Sequence, residues 1–467
     1  MKFNKFDKRI SSEIITLAIP IIFSNLSRVV MGLTDMAMVS RLGAAALAAT
    51  GMGSLLLWVV MSMGIGVRTA VQTVTSRRLG QKIFHECGHA LHNGIILVLI
   101  IAIPATLFGT YYAHEIAELF LDDLLVISQC ANYIHIGFYG VFFVLAAFAF
   151  QGFYTGVEET KIHMKVTIVS NIINVYLNAG LIYGSEGIKI FFEKLGFPHL
   201  AIFWQWYDFP AMAVKGAALA TVIASGWAVI QYSLHIVNEK IKRYEPFRFQ
   251  YSATNLIQQI KLGFPIGAQE VISMTGFAIF YKIIGTIGTV ELATSEVILN
   301  IAHASFMPAV GVGMAAATLV GKYLGEEDPD NAELSVWAAL KWSLIIMGSM
   351  GVLFIFGPHW VIPIFSNDPD IIRMGIPCLQ IIGLLQYFDA IGLTLFFVLT
   401  GAGNTRFPAA MNMATCWLMF LPLSYYLSIY LKMGVVGAWL SFAAWIVPFA
   451  IIMALKVSTG SWKKIEV

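Results

Sequence analysis

Three acidic side chains sit inside long apolar stretches and could carry charge across a membrane: Asp35, Glu270 and Asp389. An ionised carboxylate near mid-bilayer costs about 2.5–3.5 kcal/mol even on lenient scales, so one that persists is usually functional or paired. Arg28 lies seven residues before Asp35, on nearly the same helical face, so a structural ion pair is the plain alternative to an ion-coupling role. Glu270 follows Gln269 and precedes Ser273 by one turn; its plain alternative is a buried, hydrogen-bonded carboxyl. Asp389 follows Gln386 by one turn. Asn171, Asn174 and Asn178 are spaced i, i+3, i+7 and so share a helix face. Amide oxygens suit Na⁺, by the logic that hard cations take oxygen ligands, or they could hydrogen-bond Asp35. Plain interhelical hydrogen bonding is the competing reading for all three.

Composition sets the elements that must position these groups. The hydrophobic fraction is 58 % and the charged fraction 12 %, against roughly 25 % charged in a soluble domain. Charges gather in short clusters between apolar runs long enough to cross a ~30 Å hydrocarbon core as helices. Twelve runs are expected, over 13–39, 46–75, 90–112, 127–152, 163–184, 212–237, 256–286, 291–320, 334–357, 371–398, 408–431 and 434–457. A soluble chain would have to be hydrophobic all round for nearly its whole length. An even number of spans puts both termini on one side. With Arg28, Arg68 and Lys282 set aside, 20 of the basic residues fall on that side and 6 on the other, so both termini are expected in the cytoplasm. The first run is too long for a signal-peptide core and lacks a small-residue cleavage site, so it is expected to remain as helix one. The four scattered cysteines imply neither a disulfide framework nor a metal cluster, and a net charge of +2 implies no nucleic-acid partner.

The chain also repeats itself. Pro20 and Pro265, Gly43 and Gly288, Gly66 and Gly311, Leu79-Gly80 and Leu324-Gly325, and Thr155-Gly156 and Thr400-Gly401 are all separated by 245 positions. The fold class expected is therefore all-α integral membrane, with twelve transmembrane helices in two six-helix lobes related by the repeat. The lobes would be 1–238 and 256–467, joined by a basic cytoplasmic linker over 239–255. Gly216-Ala217 and Gly437-Ala438 are only 221 apart, so the first half holds about 24 more residues before its sixth helix. The aromatic-rich segment Glu186–Tyr207 is the expected excess, as an amphipathic stretch at the outer interface or a lid over the outer mouth. The repeat counterparts of Asp35 and Asp389 are Phe280 and Val144, so each acid belongs to one lobe and not to the shared scaffold.

An ordered set of motifs resembles the multidrug and toxic compound extrusion (MATE) transporters over essentially the whole chain. The set comprises Ala18-Ile-Pro20, Asp35 and Arg41-Leu-Gly43 with Leu47-Ala-Ala49; Gly152-Phe-Tyr-Thr-Gly156 with Glu159-Thr-Lys161; and Asn174-Val-Tyr-Leu-Asn178. It continues with Gly216-Ala-Ala-Leu-Ala-Thr221, Leu262-Gly-Phe-Pro265, Leu319-Val-Gly-Lys-Tyr-Leu-Gly325, Phe388-Asp389 and Thr400-Gly-Ala-Gly-Asn-Thr405. The resemblance implies two lobes around a central cavity and efflux of organic, often cationic, compounds in exchange for inward Na⁺ or H⁺. The family's first-helix acid falls on Asp35, its tenth-helix acid on Asp389, and its fifth-helix polar partners on Asn174 and Asn178. Two positions depart. Some relatives carry an acid where this chain has Asn178. Many have a seventh-helix acid at the position of Ser273, and Glu270 is the nearest acid here. Both H⁺ and Na⁺ remain open as the coupling ion.

Other residues have secondary readings. Pro20 in helix one and Pro377 in helix ten permit kinks, and a kink that straightens as Asp35 takes up a proton would make a switch. Lys282 and Glu296 are expected as a rim pair, and Arg68 as the neutralising partner of an acid in the first lobe. His85-Glu-Cys-Gly-His89 matches a zinc-binding HExxH pattern, which makes a membrane metalloprotease the remote enzymatic alternative. The motif has no third ligand and no counterpart in the repeat, so a solvated cytoplasmic helix start is expected instead. The function expected is a non-enzymatic antiporter of the inner membrane, acting as a monomer without a cofactor, on small organic substrates. A lipid-linked saccharide flippase of related fold is the nearer alternative. It should show a strongly basic central cavity, whereas intramembrane Arg and Lys are few here (Arg28, Arg68 and Lys282).

Overall fold

The computed structural model describes residues 7–467 except 195, 247 and 249–251. Lys2, Lys5 and the end of the linker at Tyr251 lie outside the described residues. The long helices are α1 (Lys8–Ser40), α2 (Ala44–Gly80), α3 (Phe84–Tyr111), α4 (Leu124–Gly156), α5 (Thr160–Lys194) and α6 (Val214–His235) in the first half. In the second half they are α7 (Ala253–Gly285), α8 (Thr289–Gly325), α9 (Pro329–Phe356), α10 (Pro369–Gly401), α11 (Arg406–Tyr430) and α12 (Gly434–Ser458). Eleven of them are long and apolar enough to cross a membrane on length and hydropathy alone. The other, α7, is 33 residues long but dilutes its apolar character with Gln258, Gln259, Lys261, Gln269, Glu270 and Lys282. With α7 counted, the described residues form the expected twelve-helix, two-lobe architecture.

Helix starts follow local chemistry. Asp7, Asp123 and Asp368 cap α1, α4 and α10 by accepting bonds from backbone N–H groups in the first turn. In each lobe the fourth helix of the repeat lies at the centre. Leu145, Ala149 and Phe153 of α4 pack with Val67 and Val71 of α2 and Leu91 of α3. Leu395, Val398 and Leu399 of α10 pack with Leu319 of α8 and Val336 of α9.

Helices α1 and α7 each begin on the opposite lobe. Ile10, Ile14, Leu17 and Ala18 are fully buried or nearly so in a cluster with Val312, Ala315 and Leu319 of α8. Leu262 of α7 packs with Ala70, Val74 and Ala90 of the first lobe, and Gln259 Nε2 donates to Ala90 O at 2.8 Å. The exchange is reciprocal, as the repeat requires, and Pro20 and Pro265 lie on these crossing segments. Further interlobe bonds collect where α2 and α8 end. Gln72 Nε2 donates to Met314 O and Thr318 Oγ1, both at 2.9 Å, and Thr73 Oγ1 donates to Thr400 O at 3.0 Å. Gly80 and Gly325 allow the two backbones to touch there: a Cβ on Gly80 would lie 2.0 Å from Lys322 O, and one on Gly325 2.2 Å from Arg77 O. The lobes are thus fastened at the end where α2 and α8 finish.

The extra segment of the first half is strapped to its own lobe. Helix α5 breaks at Gly184, whose φ of 74° is cheap only for glycine. The chain then turns back through a 3₁₀ helix over Pro198–Trp204. Trp204 Nε1 donates to Tyr176 O at 2.9 Å, the Tyr176 hydroxyl donates to Phe203 O at 2.5 Å, and Arg41 stacks over Phe191 with Cζ 4.7 Å from the ring centroid. Ile202, Phe203 and Trp206 stay exposed, as an amphipathic segment at a membrane interface would be.

Candidate functional site

Two polar centres emerge, one in each lobe. In the first, α1 and α5 run side by side in constant register. Asn171 Nδ2 donates to Ser27 Oγ at 2.7 Å, Asn178 Nδ2 to Asp35 Oδ1 at 2.6 Å, and the Tyr183 hydroxyl to Met38 O at 2.5 Å. The middle rung continues inward. Asn178 Nδ2 also donates to Asn174 Oδ1 at 3.1 Å, Asn174 Nδ2 to Thr221 Oγ1 of α6 at 3.3 Å, and Thr221 Oγ1 to Ala217 O at 3.1 Å. Both asparagines are buried, and the buried Oδ1 of Asn178 has no partner. A donor chain ending on a carboxylate, with a spare amide oxygen beside it, can hold a proton or coordinate a small cation. Asn171 shares the helix face, as its spacing requires, but bonds Ser27 one rung away from Asp35.

The second centre is a cavity of about 300 Å³ between α7, α8, α10, α11 and α12. Glu270 and Asp389 both line it, with Gln269, Ser273, Gln386, His303 and Asn412 as further polar groups. Its walls are aromatic: Phe277, Phe306, Trp439, Phe442, Trp445 and Phe449. The indole N–H groups are satisfied by the protein, Trp445 by Asn412 Oδ1 at 2.7 Å and Trp439 by Ser295 Oγ at 3.1 Å. Gln386 Nε2 donates to Ser305 Oγ at 2.7 Å and Gln269 Nε2 to Ser273 Oγ at 3.3 Å, which leaves a buried amide oxygen unpartnered on each glutamine. Carboxylates among ring faces and spare oxygens form a setting for an organic cation.

Several sequence expectations need correction. Among the described residues Arg28 and Asp35 form no ion pair. Asp35 is taken by Asn178, while Arg28 lies over Phe148 with Cζ 5.8 Å from the ring centroid. Among the described residues Arg68 makes no ion pair with an acid of its own lobe. The opposite charge it feels is Glu270, across the lobe boundary. Glu296 accepts from the Tyr281 hydroxyl at 2.8 Å and from Asn300, and makes no pair with Lys282 among the described residues. Pro20 lies inside α1 where the sequence places it, with the Ser24 hydroxyl donating to its carbonyl at 2.9 Å.

The HExxH motif does stand at a helix start, but it is only partly solvated: His85 is exposed, Glu86 half-buried and His89 buried. Glu86 lies 3.4 Å from His89, which is buried, and accepts from Asn255 of α7 at 3.1 Å. Gly88 lets the linker backbone approach: a Cβ there would meet Tyr244 O at 2.3 Å. Nearby His92 Nε2 lies 2.7 Å from Pro246 O. The motif clamps the linker between the halves, a role that none of its residue types signals. Sequence reasoning also passed over Thr221, His303 and Asn412. Thr221 was visible as the last residue of a motif, whereas the other two have no local signal, because the cavity joins them from separate helices.

The MatE family model matches residues 20–179 and 265–426, so that both halves match and the matches start at the two repeat prolines. Similar chains include the probable multidrug resistance protein NorM of Thermotoga maritima, 26 % identical over 97 % of this chain and 94 % of its own. Another is the multidrug resistance protein NorM of Burkholderia vietnamiensis, 24 % identical over 94 % and 91 %. Among solved structures, the eukaryotic MATE transporter AtDTX14 superposes with a TM-score of 0.84 over 98 % of this chain and 97 % of that one, at 20 % identity. An outward-facing multidrug resistance MATE family transporter gives 0.84 over 99 % and 100 %, at 18 % identity. Matched in both halves by one family and in fold over nearly its whole length, the chain belongs to the MatE family.

Proposed function

We propose that this chain is a multidrug efflux antiporter of the inner membrane, exporting organic, often cationic, compounds in exchange for inward H⁺ or Na⁺. Family membership supports transport as the class, and the relatives' description as multidrug resistance proteins supports the substrate range. The observation that carries the reading is the aromatic, two-carboxylate cavity of the second lobe. It can shed water around a flat cation and hold it against ring faces. Asp35, with Asn174 and Asn178, is assigned the coupling ion in the first lobe. Glu270 and Asp389 are assigned the substrate's positive charge, exchangeable with the ion. Pro20 and Arg28 on α1, Asn171 on α5 and Gln386 on α10 support these groups by position.

The charge bias supports assigning both termini and the fastened end of the lobes to the cytoplasm, and on that assignment this conformation is read as the outward-open state. In that state an external ion reaches Asp35 and the substrate leaves. When the lobes rock inward, the ion escapes and substrate binds again. One elementary charge entering across ~100 mV supplies about 2.3 kcal/mol, a roughly 50-fold gradient for a neutral substrate. The protein is assigned no catalytic residue and no cofactor, and it works as a monomer.

Ethidium efflux from proteoliposomes, with an imposed pH gradient and separately an imposed Na⁺ gradient, tests this reading. One gradient should drive transport, and Asp35→Asn should abolish it. Ethidium transport that ignores both gradients would overturn the antiport assignment.

A further inference from the structure

We infer that Arg28 and Arg68 form an anion subsite in the first lobe, and that the preferred substrates are amphoteric organic compounds whose carboxylate enters it. The inference rests on the cation reading of the second-lobe cavity and adds the substrate's opposite end. Both guanidinium groups address one ring: the Cζ atoms of Arg28 and Arg68 lie 5.8 and 6.0 Å from the centroid of Phe148. That is the outer limit of a cation–π contact, and a ring face cannot satisfy five N–H donors on each group. Among the described residues neither arginine makes an ion pair or a side-chain hydrogen bond. Arg68 is only 8 % exposed, and its Nε is buried with no partner.

Among the described residues the surroundings supply no anion within the lobe. His163, Tyr232 and each other's positive charge are what the two arginines face there. The Tyr232 hydroxyl is occupied at 2.6 Å by His163 Nδ1. Glu270, in the other lobe, is the one carboxylate acting on Arg68, and it lies beyond ion-pair distance. Two like charges held together inside a bundle, with spare donors, are costly unless an anion comes between them. A carboxylate is the fitting group, because a guanidinium fork meets it with two parallel N–H···O bonds. The source is the substrate and not a lipid, because Arg68 faces Phe148 within its own lobe and Glu270 across the lobe boundary. A molecule with its cation at Glu270 and Asp389 and its carboxylate at the arginines would bridge the lobes.

The test uses the purified full chain and two dyes, rhodamine B and its ethyl ester, which share the cationic xanthene and differ in the free carboxylate. Fluorescence polarisation gives a Kd for each. The wild type should bind the acid about tenfold more tightly than the ester, the scale of one charge-assisted pair. Arg68→Gln and Arg28→Gln should bring the ratio of acid to ester affinity to about one, whatever the change in the ester's own Kd. Arg68→Lys, which keeps the charge and loses the fork, should retain part of the preference. Equal wild-type affinity for acid and ester, or a preference that survives both glutamine variants, overturns the inference. The ester's own Kd reports the second-lobe cavity. Its insensitivity to Asp389→Asn would count against the cation reading alone. Both glutamine variants are compared at matched thermal stability, and because Arg28 is only partly buried its variant carries the test if Arg68→Gln does not fold.

Discussion

The two lobes share a scaffold but not an interior. The second-lobe cavity measures about 300 Å³. The same place in the first lobe holds a void of about 20 Å³, lined by residues one repeat away: Leu57 for Ala302, Met61 for Phe306, Gly137 for Ile382 and Val144 for Asp389. The converse holds toward the C-terminal ends of α1 and α7. Asp35 terminates a chain of hydrogen bonds, whereas Phe280 is packed among Phe420, Trp439 and Phe442 with ring centroids 5.2 to 5.8 Å apart. At the equivalent place of the cavity one lobe is filled, and the other has room bounded by aromatic rings. That division suits a transporter in which a small ion and a bulky organic molecule are held apart and communicate through lobe movement, not through direct displacement at one spot.

The hardest test of this division is Asp35→Asn. Ethidium transport under the driving gradient should fall to the level of empty liposomes, while ethidium binding in detergent stays within about twofold of wild type. Loss of binding together with transport would collapse the division, since the ion site would then be part of the substrate site. The complementary changes, Asp389→Asn and Glu270→Gln, should weaken ethidium binding by roughly 10- to 100-fold, the range of a charge-assisted contact of about 1.5–3 kcal/mol. Titration calorimetry measures it. Unchanged affinity in both variants would remove the substrate from the second-lobe cavity.

The repeat also predicts an asymmetry in packing. Gly66 and Gly311 are repeat partners, yet a Cβ on Gly66 would lie 2.3 Å from the backbone oxygen of Gly263, whereas one on Gly311 would lie 2.6 Å from Cγ1 of Ile22. A side chain can rotate away, but a backbone carbonyl cannot. Gly66→Ala should therefore cost more, about 1–3 kcal/mol on the usual scale of overpacking, with Gly311→Ala at the low end or below it. Thermal unfolding of the two variants ranks them. The reverse order would mean that the lobe contact at Gly66 relaxes more readily than that at Gly311.

Much of this was legible in the sequence because it is local or periodic. Span lengths, the 245-residue repeat and the lone acids follow from hydropathy and spacing, and the i, i+3, i+7 asparagines had to share a face whatever the tertiary fold. Pairing was not legible. Arg28 and Asp35 share a helical face, yet Asp35 bonds across to α5, because a neighbouring helix offers a better-placed donor than a side chain two turns away. Arg68 could not be matched to its facing acid, since Glu270 comes within range only through the packing of two glycine-lined helices from different lobes. The cavity draws on five helices and has no linear signature. The HExxH pattern shows the same limit from the other side: its residue types fit zinc, but its position at the interhelical linker gives them structural work.

The smallest effect expected concerns the one element without a partner in the other lobe. The Tyr176 hydroxyl donates to Phe203 O and accepts from Trp206 Nε1, both at 2.5 Å, so one oxygen carries two of the bonds that tie the returning strap of 196–207 to α5. Tyr176→Phe removes both bonds and leaves the ring stacked on Trp204, whose centroid lies 4.9 Å away. The strap is exposed on its outer side, so water can replace the lost partners and the cost should be about 1 kcal/mol or less. Global unfolding should barely move. Local opening should rise up to roughly fivefold, measured as faster amide hydrogen exchange over 196–207 or earlier proteolysis there. If exchange also quickened along α1 near Met38 and Arg41, the strap would be bracing the Asp35 rung through Tyr183 and Phe191. The extra segment would then belong to the ion-handling lobe by function as well as by position.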